Sequence, residues 1–393
     1  MNPFQISWKS LLYNKWTFVL NVLLVAFGTG ILTLLLIGTT QIGDKLRGNA
    51  KGIDLVVGAK GSPLQVILSS IYFIDFPTGN IAMSEAQQLA KNPMVKRAVP
   101  LALGDNYFGC RIVGTDSSFI NLYHLKIANG KFWEKDFEVV IGSEMAKNRN
   151  LKVGDTFHGS HGLTAGEEGA HEGRPYVITG ILAPAGNTTD NLILTNISTI
   201  WNIHGIDSEG QNDKREITSL LIQYKSRMAM IILPMIVNKT TSMQAASPAK
   251  ESARLFSLIG VGVETMQWFA LSLMFIAGIS VFVSLYNSLK ERMYDLAIMR
   301  VMGASQFRIF LIIMIEGLIL TSIGSIAGII IGHFTLELIG HFQESSQARL
   351  TGFYFVTEEF YLLTGGFLIG ILASALPAFK AYSTDISKTL SKG

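Results

Sequence analysis

The sequence is poor in cysteine and in charge. Of its 393 residues only Cys110 is a cysteine, so no disulfide can form within the chain, and we expect a small buried residue there. Charged residues make up 16% of the chain, against about a quarter in a typical soluble domain. The net charge of +3 gives no bulk basic signal for nucleic acid, so we expect no nucleic-acid partner.

Motifs for nucleotide binding and nucleophilic catalysis are also lacking. A P-loop requires Gly-x-x-x-x-Gly-Lys-[Ser/Thr], and the nearest match, Gly38 to Gly43, continues with Asp44. No Gly-x-Ser-x-Gly elbow occurs, and Ser247 with Lys250 lacks the partner motifs of the enzymes that use such a pair. We therefore expect a chain without catalytic activity and without a bound cofactor.

Long hydrophobic runs are what the sequence has in abundance. A helix of about 20 mostly apolar residues crosses a bilayer core. Four segments reach that length, at residues 16–39, 258–289, 307–334 and 360–379. The first run is too long for a signal peptide, and no small-residue cleavage site follows it. The sequence thus predicts an α-helical integral membrane protein with four transmembrane helices.

Lysine and arginine near the ends of these runs predict the orientation, because short cytoplasmic loops are rich in both. They occur before the first span, between the second and third, and after the fourth, as Lys9, Lys15, Lys290, Arg292, Arg300, Arg308, Lys380, Lys388 and Lys392. The loop between the third and fourth spans has only Arg349. Both termini and residues 290–306 are therefore predicted to be cytoplasmic.

The predicted division of the chain follows from the spans. Residues 41–257 are expected to form a large mixed α/β extracytoplasmic domain between the first and second spans. Its strand candidates are residues 53–57, 139–141, 176–181, 191–194 and 220–224, and Ser84 with Gln87 fits a capping box that opens a short helix. The other segments are an N-terminal amphipathic segment with the first span (1–40), a stalk end with the second span (258–289), a cytoplasmic helix (290–306), the third span (307–334), an outer loop (335–357), the fourth span (358–379) and a tail (380–393).

Histidines offer a candidate metal site in a Gly-rich loop. Imidazole and carboxylate groups suit a divalent metal such as Zn²⁺, and the loop contains His158, His161 and His171 with Glu167, Glu168 and Glu172. The spacing matches no rigid motif. We therefore expect a solvated loop without metal, and a metal-responsive loop is the alternative.

Small residues form stripes along the last two spans, and such stripes let helix backbones approach closely. They recur at every fourth position, as Gly324, Gly328 and Gly332 in the third span and Gly366 and Gly370 in the fourth. The sequence leaves open whether they pack within one subunit or between two copies. Glu316, a carboxylate in the third span, is either a functional polar group or a structural contact near the inner interface.

The segment between the second and third spans carries the most specific pattern. It predicts a short amphipathic helix, because five residues share one face at helical spacing: Met293, Leu296, Ala297, Arg300 and Val301. Gly303 can end this helix in a left-handed conformation, and Ser305 can cap the next one. Because the other cytoplasmic segments are short, the apolar face has no evident partner within the chain.

This segment resembles the FtsX-like permease family. The family shows the pattern Glu-Arg-x-x-(Glu/Asp)-(Leu/Ile)-(Ala/Gly)-x-x-Arg-x-x-Gly-Ala, which the chain matches at Glu291, Arg292, Asp295, Leu296, Ala297, Arg300, Gly303 and Ala304. Glu316 matches the acidic residue of the family's next span. The segments Ser7 to Leu11 and Pro377 to Tyr382 are similar to its entry helix and its closing motif. Span order and the large first outer domain agree with MacB and LolE relatives.

The resemblance implies a MacB-like periplasmic core and the permease subunit of an ABC transporter in the bacterial inner membrane. Its matched residues, with Met293, would form an ATPase-coupling helix. ATP and Mg²⁺ would be bound by a separate ABC ATPase subunit, whose cycle would move the outer domain by mechanotransmission.

Further partners implied by the resemblance are a second permease copy in a homodimer, or a related chain in a heterodimer, membrane lipid, and an adaptor or substrate protein outside. The substrate would be amphiphilic, a lipoprotein or peptide-like. The alternative function is a transmembrane signalling subunit that regulates an extracytoplasmic partner such as a cell-wall hydrolase.

Overall fold

The computed structural model describes residues 2–160, 174–205, 215–342 and 350–383. The chain divides into two compact units. Among these residues, one unit, the membrane unit, comprises residues 2–42, 259–342 and 350–383, and the other, the inserted unit, comprises those between 43 and 258.

Four helices of the described residues are long and apolar enough to cross a membrane. They are α2 (Lys15–Asn49), α9 (Pro248–Glu291), α11 (Gln306–Phe342) and α12 (Glu359–Tyr382). Two short helices complete the membrane unit, α1 (Pro3–Tyr13) and α10 (Met293–Val301). The four predicted spans are confirmed, but all four helices extend beyond the apolar runs, because polar residues outside a bilayer core continue a helix without cost.

The glycine stripes of the last two spans make close contacts within this one chain. A Cβ atom on Gly328 would lie 2.6 Å from the backbone oxygen of Ala26 in α2. A Cβ on Gly370 would lie 2.3 Å from the hydroxyl oxygen of Thr321 in α11. Only residues without a side chain permit such approach. The stripes therefore pack α11 against α2 and α12 against α11.

The inserted unit is built on a mixed sheet of short strands. Its strands are β1 (Leu55–Ala59), β3 (Val95–Tyr107), β4 (Cys110–Thr115), β5 (Ile127–Gly130), β6 (Glu138–Ile141), β7 (Thr156–Phe157), β8 (Tyr176–Leu182), β9 (Ile193–Asn196), β11 (Ser219–Tyr224) and β12 (Met243–Ala246). The order is β12-β1-β11-β3-β4-β9-β6-β8-β5, with β7 beside β8. Neighbours are antiparallel except β4 with β9 and β6 with β8. A separate pair joins β2 (Ile81–Ala82) to β10 (Glu216–Ile217).

Short helices cover this sheet. They are α3 (Pro63–Ser70), α4 (Met83–Ala90), α5 (Ser117–Tyr123), α6 (Ser143–Arg149), α7 (Ile197–Ile203) and α8 (Ala229–Thr240). Two buried apolar clusters form the core, one around Leu55, Ile222 and Leu233 and the other around Ile112 and Ile141. The mixed α/β character and its place between the first two spans confirm the predicted fold class.

Two local predictions in this unit are wrong. Ser84 does not cap α4, which begins at Met83 after Ala82 and has no side-chain cap. The sequence also predicts that Pro234 interrupts the apolar run of residues 228–237, because proline disfavours a helix interior, but α8 continues through Pro234. Burial of Leu233 and Val237 in the core stabilises this helix despite the backbone hydrogen bond that proline cannot donate.

Candidate coupling interface

The helix between the second and third spans forms as its end signals predict. α10 runs from Met293 to Val301, and Gly303 follows it with a φ of +98°. The Ser305 hydroxyl accepts a hydrogen bond from the Arg308 backbone N–H at 3.3 Å in the first turn of α11. Gly303 and Ser305 therefore set the angle at which α10 joins α11.

One face of α10 is buried within the membrane unit. Leu296 and Ala297 pack in an apolar cluster with residues from α9, α11 and α12: Leu289, Ile309, Ile313, Ala378 and Ala381. Met293 and Met299 lie at its edge. The expectation that this apolar face has no partner within the chain is therefore wrong. Residues of three long helices, which are far apart in sequence, meet at this end of the membrane unit and supply the partner surface.

The other face of α10 is exposed and also apolar. Tyr294, Ile298, Val301 and Met302 are 50%, 36%, 66% and 70% exposed. Their spacing of three or four residues places them in one row along the helix. We call these four residues the exposed stripe. All four were absent from the predicted coupling residues, and only Val301 was placed on the predicted apolar face, because sequence spacing alone did not show which apolar face packs against the protein interior.

A buried polar cluster lies at the start of α10. The Arg292 guanidinium donates a hydrogen bond to the Glu316 carboxylate at 3.0 Å and another to the Ser10 hydroxyl. Glu316 is 3% exposed. Ser7, one turn before Ser10, donates to the backbone oxygen of Ile312 at 2.8 Å. Because a buried carboxylate is costly unless paired, this cluster fixes α1 and the start of α10 to α11. Glu316 thus forms an ion pair with Arg292 inside the membrane unit.

The remaining residues of the family pattern lie around this helix. Glu291 and Asp295 are exposed, and Arg300 and Ala304 are partly buried. A cleft at the end of α10 is bounded by α1 and the first turns of α11, and it is lined by Pro3, Ile6, Met299, Met302, Ala304 and Ile309.

A second polar cluster, which the sequence did not predict, lies at the far end of α11. His333 Nε2 is 3.0 Å from a Glu359 carboxylate oxygen, and its Nδ1 contacts the Gly352 backbone oxygen. Glu337 accepts a hydrogen bond from the Gly352 N–H at 2.8 Å. The Gln41 amide at the end of the first span pairs with the Thr351 backbone in both directions. The segment that starts at residue 350 is therefore held to α2, α11 and α12.

The predicted metal candidates give no site among the described residues, where no group of three His, Cys, Asp or Glu side chains is placed to hold a metal ion. His158 is exposed, and His161 and His171 lie outside the described residues, as do Glu167, Glu168 and Glu172. Arg349, Lys388 and Lys392 lie outside them as well. Cys110 is buried and unbridged, as predicted.

Comparison with known proteins gives two matches to family models. Residues 18–246 match the MacB-like periplasmic core domain, and residues 268–386 match the FtsX-like permease C-terminal region. No curated protein matches the chain. Among solved structures, the periplasmic region of MacB from Actinobacillus actinomycetemcomitans is similar at 13% identity and a TM-score of 0.35, covering 54% of this chain and 96% of that one.

A second solved structure, the extracellular domain of the ABC-type transporter YknZ from Gram-positive bacteria, is similar at 13% identity and a TM-score of 0.32. It covers 50% of this chain and 99% of that one. Because both identities are low, the assignment rests on the two family models, one of which spans more than half of the chain. The chain belongs to the MacB/FtsX-like family of ABC transporter permeases, a family that is typically non-catalytic and works with an ATPase partner.

Proposed function

We propose that this chain couples ATP hydrolysis in a separate ABC ATPase subunit, which binds the ATP and Mg²⁺, to movement of its periplasmic core domain. The substrate is an amphiphile, a lipoprotein or a peptide-like molecule, handled outside the bacterial inner membrane. Both termini and α10 lie in the cytoplasm. The distribution of Lys and Arg around the spans supports this orientation. A second copy of the chain completes the permease.

The observation that carries this proposal is that α10 has two apolar faces with different surroundings. Leu296 and Ala297 on one face fill the interior of the membrane unit. The exposed stripe on the other face lies open. Contiguous exposed apolar residues on a helix mark an interaction surface. Because α10 is the helix of the predicted cytoplasmic loop, the surface suits an ATPase subunit.

The buried side of α10 supports transmission of movement from that surface. A displacement of α10 acts on α11 through the Arg292–Glu316 ion pair, and on α12 through the buried apolar cluster that Leu296 shares with Ala378 and Ala381. The well-packed interior of a protein transmits such strain with little loss. The helix thus joins a docking face to two spans.

Val301→Asp with Met302→Asp tests the docking face. Burying each of these side chains against a partner is worth roughly 1.5–3 kcal/mol, and a buried unpaired carboxylate adds a further penalty. We expect loss of co-purification with the proposed ABC ATPase subunit, with membrane insertion and thermal stability unchanged. Phe353→Asp is the matched control, because Phe353 is 79% exposed on the segment that follows α11.

Retention of the ATPase by the double variant, with substrate-dependent hydrolysis intact, would overturn the docking role of the exposed stripe. Leu296→Asp separates docking from packing, because Leu296 is buried within the chain. That variant should lower the stability of the membrane unit itself. Capture of a cell-wall hydrolase by the intact chain, with no amphiphile or lipoprotein retained, would favour the signalling alternative over transport.

A further inference from the structure

An apolar groove lies between α9 and α12 in the membrane unit. It is lined by residues of α9 from Met274 to Phe282 and of α12 from Ile369 to Leu376, all of them apolar, and its volume is about 290 Å³. Met274 is buried at its base, whereas Leu372 and Leu376 on its rim are largely exposed. Because both walls belong to membrane-spanning helices, this groove opens toward lipid. We call it the α9–α12 groove.

Two lysines meet a single tyrosine ring beyond one end of this groove. Tyr286 contacts Phe282, the last groove residue of α9, with 6.0 Å between the ring centroids. Lys380 of α12 donates a hydrogen bond to the Tyr286 hydroxyl, and its ammonium lies 4.4 Å from the centre of the ring. The Lys290 ammonium lies 5.0 Å from the same centre. Both ammonium groups are therefore held around one ring, at the junction of α9 and α12.

The spacing along both helices makes the groove and the lysines one elongated surface. On α9, Phe282, Tyr286 and Lys290 follow one another at intervals of four residues. On α12, Lys380 follows the groove residue Leu376 by the same interval. Four residues are about one helical turn, so the apolar lining ends roughly 6 Å along the axis before the first cation. The surface is thus apolar along most of its length and cationic at one end.

This combination selects one kind of occupant. An anionic phospholipid has an acyl chain for the apolar part and a phosphate for the cationic end, and lysine beside a membrane attracts such headgroups. A second copy of the chain fits less well, because a two-fold contact brings the same patch of both copies together. Lys290 and Lys380 of one copy would then face the same lysines of the other, and like charges in an interface are unfavourable. Free phosphate would leave the apolar lining unused.

We propose that the α9–α12 groove binds one anionic phospholipid, with its phosphate between Lys290 and Lys380 and an acyl chain along the apolar lining. Each methylene group buried there strengthens binding about fourfold, and each lysine favours the anionic headgroup about fivefold. The Tyr286 hydroxyl, which already accepts a hydrogen bond from Lys380, keeps its own proton to donate to the phosphate. Only the assignment of this lipid to the cytoplasmic leaflet rests on the proposed function.

The position of this site connects it to the coupling helix. Lys290 lies in the last turn of α9, two residues before Arg292, at which α10 begins. Lys380 lies in the last turn of α12, whose Ala378 and Ala381 share the buried cluster with Leu296. A phosphate held by both lysines therefore joins the ends of the two spans on which α10 packs.

Native mass spectrometry tests the headgroup part. The full chain, without ATPase, is released from micelles that contain equal amounts of dioleoyl phosphatidylglycerol and dioleoyl phosphatidylcholine. We expect one phosphatidylglycerol retained per chain in preference to phosphatidylcholine, and Lys290→Gln with Lys380→Gln should lower that preference by up to about 25-fold. Lys9→Gln with Lys15→Gln is the matched control, because it removes the same charge at exposed positions on the same predicted side of the membrane. Preference that survives the first double variant, or that both double variants lose equally, would overturn the lysine site.

Narrowing the groove tests the acyl-chain part. A Cβ on Gly278 would lie 3.1 Å from the Ile369 Cγ2, so Gly278→Val places methyl groups in the space between the helices. We expect weaker retention of phosphatidylglycerol, with the thermal unfolding of the lipid-free chain unchanged. Gly365→Val is the control, because a Cβ there meets no atom within 4 Å. Equal retention by Gly278→Val and the wild type would contradict the placement of the chain, as would a lipid-free dimer that Gly278→Val alone dissociates.

A comparison of ligands on the unaltered chain keeps this test independent of how any variant folds. Dihexanoyl phosphatidylglycerol carries the same headgroup on short chains, and inorganic phosphate carries no chain. Because affinity rises with each buried methylene group, both should displace dioleoyl phosphatidylglycerol far less effectively than the unlabelled long-chain lipid does. Displacement by phosphate at the same concentration would show a site for free anions and overturn the lipid assignment. Since no ATPase is present, none of these results depends on the docking role of α10.

Discussion

The two ends of α11 are each tied to a neighbouring segment by a largely buried polar contact, but through different chemistry. Near its start, Glu316 binds Arg292 at 3.0 Å. At its far end, His333 lies 3.0 Å from Glu359 and also contacts the Gly352 oxygen. Arg292 donates to a carboxylate on α11 and to a hydroxyl on α1, so its contacts join helices, whereas His333 reaches the backbone oxygen of Gly352 in the segment between α11 and α12.

The two ends also differ in what their contacts hold in place. The Arg292 end connects helices that we propose to move as one piece with the ATPase. The His333 end holds the segment that begins at residue 350 through backbone oxygens and N–H groups. A contact made to loop backbone can be released without unpacking a helix. We expect the two ends to respond very differently to loss of one partner.

The largest effect is expected at the Arg292 end. Arg292→Leu leaves the Glu316 carboxylate buried without its cation, which costs about 3–5 kcal/mol. Titrating the full chain in mixed micelles with a denaturing detergent, while its unfolding is monitored, measures this loss of unfolding free energy. Arg292→Leu combined with Glu316→Leu should recover much of it, because no buried charge then remains. Equal stability of the single and double variants would show that the Arg292–Glu316 pair does not stabilise the contact between α10 and α11.

An intermediate effect is expected in the middle of α11, away from both polar contacts. Gly328→Ala places a methyl group 2.6 Å from the Ala26 backbone oxygen and 2.7 Å from the Thr29 Cβ. Overpacking of this kind costs about 1–3 kcal/mol. Gly365→Ala is the matched control, because a Cβ there meets no atom within 4 Å. The same detergent titration should detect a loss for the first variant alone, and similar losses for both would argue against the close packing of α11 on α2.

The smallest effect is expected at the His333 end. His333→Ala removes contacts to Glu359 and Gly352 at a net cost of about 1 kcal/mol. Global stability should change little, whereas amide exchange at Val356, whose N–H donates to Glu359 at 2.8 Å, should accelerate. Phe353→Ala, a change of an exposed side chain on the same segment, is the control. Unchanged exchange at Val356 would mean that the loop is held by Glu337 and Gln41 alone.

The sequence predicted best where a local signal decides the structure. Hydropathy located the four spans. Gly303, with its positive φ, follows the end of α10 as expected, and Ser305 caps the start of α11 as expected. These features depend on a few consecutive residues. The same reasoning missed the long antiparallel pair of β3 and β4, because Pro100 and Gly104 within β3 read as loop residues and only pairing with β11 and β4 makes them a strand.

The candidate site was predicted in position but not in orientation. The family pattern located α10, yet it could not show that Leu296 packs in one buried cluster with Ile309 and Ala378 or that Val301 and Met302 stay exposed. Arg292 and Glu316 were both singled out, one for its match to the pattern and one for its burial in a span. Their pairing, and the part of Ser10 in it, depends on how three helices meet, which no local pattern contains.

The reactivity of Cys110 toward a thiol reagent can report how often the periplasmic core domain opens. It is the single thiol of the chain, it lies at the start of β4, and it is packed among Ile112, Phe157 and Tyr176. A thiol reagent can reach it only when this part of the domain opens, so the rate of labelling is the intrinsic rate multiplied by the open fraction. With no second cysteine to compete, the labelling rate of the unmodified chain, compared with and without the proposed ATPase cycle, tests whether that cycle loosens the domain.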